Sequence, residues 1–260
     1  MTAASELFVD GHHLETFRIP PPDGGGTIVF LHEGLGSVSM WRDFPATLAA
    51  RTKCGALVYS RYGHGQSDRL AEPRDVDYMH HEAFAVLPAL LRAAAIERPI
   101  LFGHSDGASI ALLFAGRYPQ VPAALILEAP HLFVEEVTVA SIAAIKENFA
   151  ASCLQAKLAY HHRDAASTFY GWNDIWLAPR FRAWNIEADV AQLQCPVLVM
   201  QGRDDEYGTL EQVDRLQALQ PAAGALLLER CGHAPHRDQA ETVLSASAAF
   251  IEGLARHGAP

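Results

Sequence analysis

The stretch that most limits how this chain can fold is Gly103-His104-Ser105-Asp106-Gly107. It lies between an unbroken apolar run, residues 99–102, and an amphipathic stretch, residues 108–118. A short apolar run bounded by turn residues reads as a buried strand, and the amphipathic stretch reads as a helix. The pentapeptide alone arises often by chance. Set between a buried strand and a helix, it describes a sharp turn whose glycines let the backbone close up while the serine side chain stands out. The helix N-terminus behind Ser105 offers unpaired amides suited to a developing oxyanion. An ordinary glycine-rich turn is the plainer reading of the same residues.

The alternation continues along the chain. Apolar runs at 7–9, 13–19, 27–31, 56–59, 99–102, 123–127, 196–201 and 225–228 read as eight strands, the first two joined by a turn at Asp10-Gly11. Helical stretches fall at 39–52, 82–96, 108–118, 210–219 and 239–255, the first two with a proline inside. Residues 20–26, three prolines and three glycines around Asp23, are a loop. Strands alternating with longer helices predict an α/β fold, a mostly parallel eight-stranded sheet covered by helices. Between about 131 and 189 the rhythm breaks into helices without a strand. Phe169, Tyr170, Trp172, Trp176, Phe181 and Trp184 put six aromatics into sixteen residues there, against 9% in the whole chain. The expected organisation is a core of residues 1–130 and 189–260 with a helical lid, 131–188, inserted. The chain has no internal repeat.

Composition excludes several classes. With 260 residues, 50% of them apolar, the chain can bury a large core in one or two domains. A net charge of −10 argues against nucleic acid or an anionic membrane as partner, since both need a basic face. The longest stretches without charge are thirteen residues, well short of the roughly 20 that span a bilayer. Residues 1–10 carry Glu6 and Asp10 and no basic start, so no signal peptide is expected. Four cysteines with no C-x-x-C spacing read as free thiols, and the expected location is cytoplasmic. The pairs His12-His13, His80-His81 and His161-His162 are poor chelators, because neighbouring side chains point apart on either a helix or a strand. His32-Glu33 lacks the second histidine of a zinc helix, and Gly24-Gly25-Gly26 precedes a strand where a phosphate loop precedes a helix. Neither a metal nor another cofactor is expected.

A serine needs a base, and the base needs an orienting acid. Gly202-Arg203-Asp204-Asp205 follows one predicted strand, and Gly232-His233-Ala234-Pro235 follows the last. Both lie at strand C-termini, the edge where α/β sheets carry their sites. Together with the turn at Ser105, these loops and Gly63-His64-Gly65-Gln66-Ser67 resemble the α/β-hydrolase superfamily over nearly the whole chain. The resemblance implies Ser105 as nucleophile, His233 as general base and Asp205 as the acid that steadies it. Asp204 is one residue away, and Glu128, at the end of the sixth strand, is a third position from which the family draws its acid. His104 reads as scaffold, and His236 as a pocket or solvated loop residue.

For the oxyanion hole the resemblance implies the amide of Asp106 and one from the loop 31–37, Gly34 by position with Leu35 as alternative. Glu33 departs from the family by replacing a glycine. A carboxylate at Glu33 or Asp106 would oppose an oxyanion if it pointed inward, so Asp106 is expected to turn away and complement its helix. Leu35, Trp41, His131, Trp172, Trp176 and Trp184 are the expected pocket lining. The implied activity is hydrolysis of a small, fairly apolar ester or thioester through an acyl-enzyme. Carbon–carbon bond hydrolysis of a diketone-like compound, peroxidase-like chemistry without a cofactor, and a non-catalytic binding role share the same fold.

Overall fold

The computed structural model describes residues 5–22, 24–149 and 153–256. Met1 to Ala4, Asp23 of the expected loop and residues 150–152 of the expected lid lie outside the described residues. The apolar runs form the eight strands β1 Ser5–Val9, β2 His12–Ile19, β3 Thr27–Leu31, β4 Gly55–Tyr59, β5 Ile100–His104, β6 Ala124–Glu128, β7 Val197–Gly202 and β8 Gly224–Leu228. They join one sheet in the order β1-β2-β4-β3-β5-β6-β7-β8. β1 pairs antiparallel with β2, and β2 antiparallel with β4. The remaining pairs are parallel, so the expected fold class is the one observed.

Side chains alternate across a strand, and both faces of this sheet are covered. On β3, Val29 and Leu31 join one apolar cluster with Leu101, Leu125 and Leu127, while Ile28 and Phe30 join another with Phe102 and Ile126. The helices, in chain order, are α1 Phe44–Thr52, α2 Tyr78–His81, α3 Leu87–Ala93, α4 Asp106–Arg117, α5 Glu136–Asn148, α6 Leu154–His161, α7 Ala165–Leu177, α8 Glu187–Val190, α9 Glu211–Leu219, α10 Pro235–Asp238 and α11 Ala240–Arg256. Helices α5 to α8 all lie between β6 and β7.

Two predicted helices are interrupted where proline intervenes. Residues 39–52 divide into a 3₁₀ turn, Val38–Trp41, and α1, with Arg42 at φ 52° between them. Pro45 then sits in the first turn of α1, where a missing N–H costs nothing. Residues 82–96 start earlier, at Tyr78, and pass through a π turn, Glu82–Val86, before α3. Pro88 cannot donate to Phe84 four residues back, and the Tyr118 hydroxyl donates to that carbonyl instead, at 3.2 Å. The segment expected to hold no strand carries one isolated bridge, Phe133–Asn185, which ties its entry to its exit.

Helix α7 explains the crowded aromatics. The Asp164 carboxylate accepts from the Ser167 amide and caps the start. Phe169, Trp172, Ile175 and Trp176 then recur at helical spacing and are buried. The chain order across the sheet also positions the site. Successive strands run outward from β3 to β4 on one side and to β5 on the other, so the loops after β3 and β5 diverge at their C-terminal ends and leave a crevice.

Candidate active site

Ser105 follows β5 directly and adopts φ 53°, ψ −117°, a conformation that costs a non-glycine residue about 1–3 kcal/mol. The surroundings hold it there. The Ser105 amide donates to the Glu128 carbonyl at 2.9 Å, and its own carbonyl starts α4 by accepting from Ala108 and Ser109. A Cβ at Gly103 would lie 2.5 Å from the Gly107 carbonyl oxygen, and one at Gly107 would lie 2.1 Å from that of Leu31. The two glycines therefore let β5, α4 and β3 approach to backbone contact.

The three residues of the expected triad, 128 and 28 positions apart, meet in one hydrogen-bonded line. His233 Nε2 is 2.9 Å from Ser105 Oγ, and His233 Nδ1 is 2.8 and 2.9 Å from the two Asp205 oxygens. A carboxylate only accepts, so Nδ1 carries the proton and Nε2 is left to accept from the serine hydroxyl. Asp205 is fixed by the amides of Tyr207 (2.8 Å) and Gly208 (3.2 Å) and by Gln201 Nε2 at 2.7 Å. Burial pushes the His233 imidazole down, but its hydrogen bond to Asp205, the Asp205 charge and the nearby Glu206 and Glu33 outweigh this and hold it above its ordinary value. Burial likewise pushes Asp205 up, and the bond and charge of His233 bring it below the usual carboxylate range.

The other two candidate acids are elsewhere. Asp204 is exposed, with its amide on the Cys231 carbonyl. Glu128 is fully buried and bonded to His236 Nδ1 at 2.6 Å. His104 is buried and its Nε2 donates to the His233 carbonyl at 2.7 Å, which steadies His233 from behind. His104, Glu128 and His236 also bring donor atoms within 4.8 Å of one another, a metal-like grouping hidden in the sequence by the distance between them. Two of those donors are engaged, His236 on Glu128 and His104 on His233, and together they serve as a hydrogen-bonded support.

The loop after β3 is held by its own polar atoms. His32 accepts from the Arg61 amide through Nε2 at 3.0 Å and donates through Nδ1 to the Glu33 carbonyl at 2.7 Å. Burial, then the charge of Arg61, keeps this imidazole neutral by pushing it well down. The Arg61 guanidinium donates to the carbonyls of His32 and Glu33, both at 3.0 Å. The Glu33 carboxylate folds back onto the Leu35 amide. That engages the alternative oxyanion donor, while no hydrogen bond engages the amides of Gly34 or Asp106 among the described residues.

Asp106 turns its carboxylate away from the serine, toward Arg61 (3.4 Å) and the Tyr78 hydroxyl (2.8 Å). Trp176 Nε1 donates to the same hydroxyl at 3.1 Å, which ties α7 to the turn at Ser105. No sequence motif marks Arg61 or Tyr78 as partners of Asp106, a pairing that only the fold creates.

Ser105 and His233 open into a cavity of about 320 Å³. Leu35, His131, Trp172 and Trp176 line it. Trp41 and Trp184 do not, which corrects the expectation for both. The 3₁₀ turn carries Trp41 into the core, its ring 5.4 and 5.7 Å from those of Phe30 and Phe102. Trp184 lies beyond the end of α7 and stacks on Phe181 at 5.5 Å. Thr138, Ile142, Leu154 and Leu158 from α5 and α6 complete an apolar wall that the sequence did not single out. Glu33, Glu206, Asp238 and Arg237 add charge to the lining. His131 is pushed down to about 4 by burial and then by the His233 charge, so it is neutral near pH 7. Among the described residues no helix is long and apolar enough to cross a membrane.

Comparison with known proteins supports the same fold. The model of the alpha/beta hydrolase family matches residues 28–246. An uncharacterized protein of Mycobacterium tuberculosis is 37% identical over 112 residues, 43% of this chain, and the match spans only 30% of that longer protein. A 2-hydroxy-6-oxo-2,4-heptadienoate hydrolase of Pseudomonas putida is 25% identical over 80% of this chain and 83% of its own length. Among solved structures, an esterase from Rhodococcus sp. ECU1013 superimposes with a TM-score of 0.74 at 20% identity, covering 97% of this chain and all of its own.

Proposed function

The chain belongs to the alpha/beta hydrolase family, and from that premise we propose that it is a serine hydrolase cleaving a small carboxylic ester or thioester. The observation that carries the reading is the unbroken line from Ser105 Oγ through His233 to Asp205 at the floor of the cavity. A neutral Nε2 facing Oγ takes the hydroxyl proton as Oγ bonds to the acyl carbon. The resulting oxyanion falls to the amides of Gly34 and Asp106. His233 then passes the proton to the departing alkoxide or thiolate as the bond to it breaks. A water deprotonated by His233 releases the acid and restores Ser105. Asp205 keeps its charge throughout and stabilises the imidazolium. Helices α5 to α7 act as the lid, whose apolar wall excludes water and strengthens these interactions.

The Pseudomonas putida relative, named for a 2-hydroxy-6-oxo acid, favours carbon–carbon hydrolysis as the second reading. The same serine and histidine would attack a ketone there, with a carbanion as leaving group. The test is intact-mass analysis after a fluorophosphonate, on wild type, Ser105→Ala and His233→Ala. One adduct on the wild type and none on either variant is the expected result, and turnover of short esters follows it. An adduct with no ester turned over moves the assignment to the second reading. A folded wild type without an adduct overturns both.

A further inference from the structure

Two ring nitrogens in the cavity serve no partner of this protein's own. Trp172 lies against the oxyanion loop so closely that a Cβ at Gly34 would sit 2.1 Å from its Nε1. That indole N–H makes no hydrogen bond among the described residues, although Trp176, four residues on, gives its own to Tyr78. His131 lines the same cavity at 2% exposure, its ring 5.8 Å from that of His233. Its Nδ1 is sealed and unpartnered, so only Nε2 is left to meet a ligand. An orphaned buried N–H is rarer than an orphaned lone pair, which puts the ring proton on Nε2. The main chain of His131 is pinned by Ser109, whose hydroxyl donates to the carbonyl at 2.7 Å and accepts from the amide at 3.1 Å. The cavity thus holds two rigid donors beside the apolar wall of α5 and α6, beyond the two amides that await the oxyanion.

The lining carboxylates set the charge of what these donors meet. Glu33, Glu206 and Asp238 face the cavity against the single guanidinium of Arg237. Each carboxylate also accepts from a backbone amide of the site, Leu35, His233 and Gly232 respectively, so none can swing away without releasing it. An anionic substrate would meet like charge, while a neutral one would not.

Resting on the hydrolase reading above, we propose that Trp172 and His131 select an acyl group carrying a second, uncharged oxygen acceptor close to the scissile carbonyl, such as an oxo or ether oxygen. A site built to hydrogen-bond a substrate oxygen discriminates against the analogue without it, because its donors are then buried unpaired.

Three 4-nitrophenyl esters that differ only at the fourth acyl carbon test this: 4-oxopentanoate, 4-methylpentanoate and hydrogen succinate. Methoxyacetate against butanoate sets the oxygen two atoms closer. Each kcat/KM is divided by the ester's own second-order rate constant for hydroxide attack, which leaves out self-cleavage by the succinate carboxylate, and Trp172→Phe, His131→Phe and the double variant are run beside the wild type. The oxygenated ester of at least one pair is expected to be preferred, by about two- to tenfold for each donor, with the preference falling in each variant and vanishing in the double. The succinate is expected to be the poorest of its three. Because the readout is a ratio on one enzyme, partial loss of folded protein does not change it. Equal rates within both pairs, or a preference that survives the double substitution, overturn the proposal and leave the hydrolase reading standing. No turnover of any ester together with no fluorophosphonate adduct at Ser105 overturns both.

Discussion

Replacing Asp106 by alanine should unfold this protein far more readily while leaving the backbone amide of residue 106 in the site. The Asp106 carboxylate lies 3.4 Å from the Arg61 guanidinium, and the two side chains are 2% and 1% exposed. It also accepts from Tyr78 at 2.8 Å. Its removal strands a guanidinium that water cannot reach, and breaking a buried pair from one side costs about 3–5 kcal/mol. Tyr78 loses its acceptor as well, so the upper half of that range is expected. Against a typical total of about 5–15 kcal/mol this is a large share. At about 2–4 °C per kcal/mol for a chain of this size, the melting temperature should fall by roughly 8–20 °C. Urea titration followed by tryptophan fluorescence reads the free energy directly, with an unchanged slope expected if only stability has moved. Arg203→Ala is the control: its partner Glu229 is 75% exposed, and such pairs contribute within about 1 kcal/mol. A loss for Asp106→Ala no larger than that control would refute the reasoning. It would mean that the Arg61 charge is neutralised by other groups or by water, and that the network does not tie α7 to the turn at Ser105.

Asp205→Asn should lower kcat by about four orders of magnitude, the cost of misplacing the imidazole proton. Since His233 is held above 6.5, chiefly through Asp205 against the opposing effect of burial, the wild-type acid limb of kcat/KM should lie above pH 6.5. Residual activity of the variant should have that limb at lower pH, because the group that favours the imidazolium is gone. An unmoved limb would point to another titrating group. Gly107→Ala forces a Cβ to within 2.1 Å of the Leu31 carbonyl oxygen, a backbone atom that cannot rotate aside. A loss of about 1–3 kcal/mol or more in urea titration, with a fall in ester turnover as the loop after β3 moves off Ser105, is the expected outcome. Near-normal values for both would show that the elbow has slack.

The strands, their alternation with helices and the turn at Ser105 were legible because each rests on short-range physics. An apolar run of strand length seeks a sheet, and a Gly-x-Ser-x-Gly between strand and helix admits few backbones. The order Ser105, Asp205, His233 was legible too, since all three follow strands at the same sheet edge. The choice among Asp205, Asp204 and Glu128 needed the tertiary structure, because one residue of slip in a loop decides which carboxylate meets the imidazole. The same holds for the tryptophans. Trp172 and Trp176 share the face of α7 by helical period, whereas Trp184 follows a proline-started 3₁₀ segment, Pro179–Ala183, that turns it elsewhere. What the sequence by itself determined is the frame: a mostly parallel sheet, a sharp turn presenting Ser105, and loops that bring an acid and a histidine to its edge. Only the tertiary structure decided the connections across it, Arg61 and Tyr78 on Asp106, Trp176 on Tyr78, His236 on Glu128. These pairs join residues 28 to 108 positions apart, and a contact of that span depends on how whole elements dock, which no local pattern of side chains encodes.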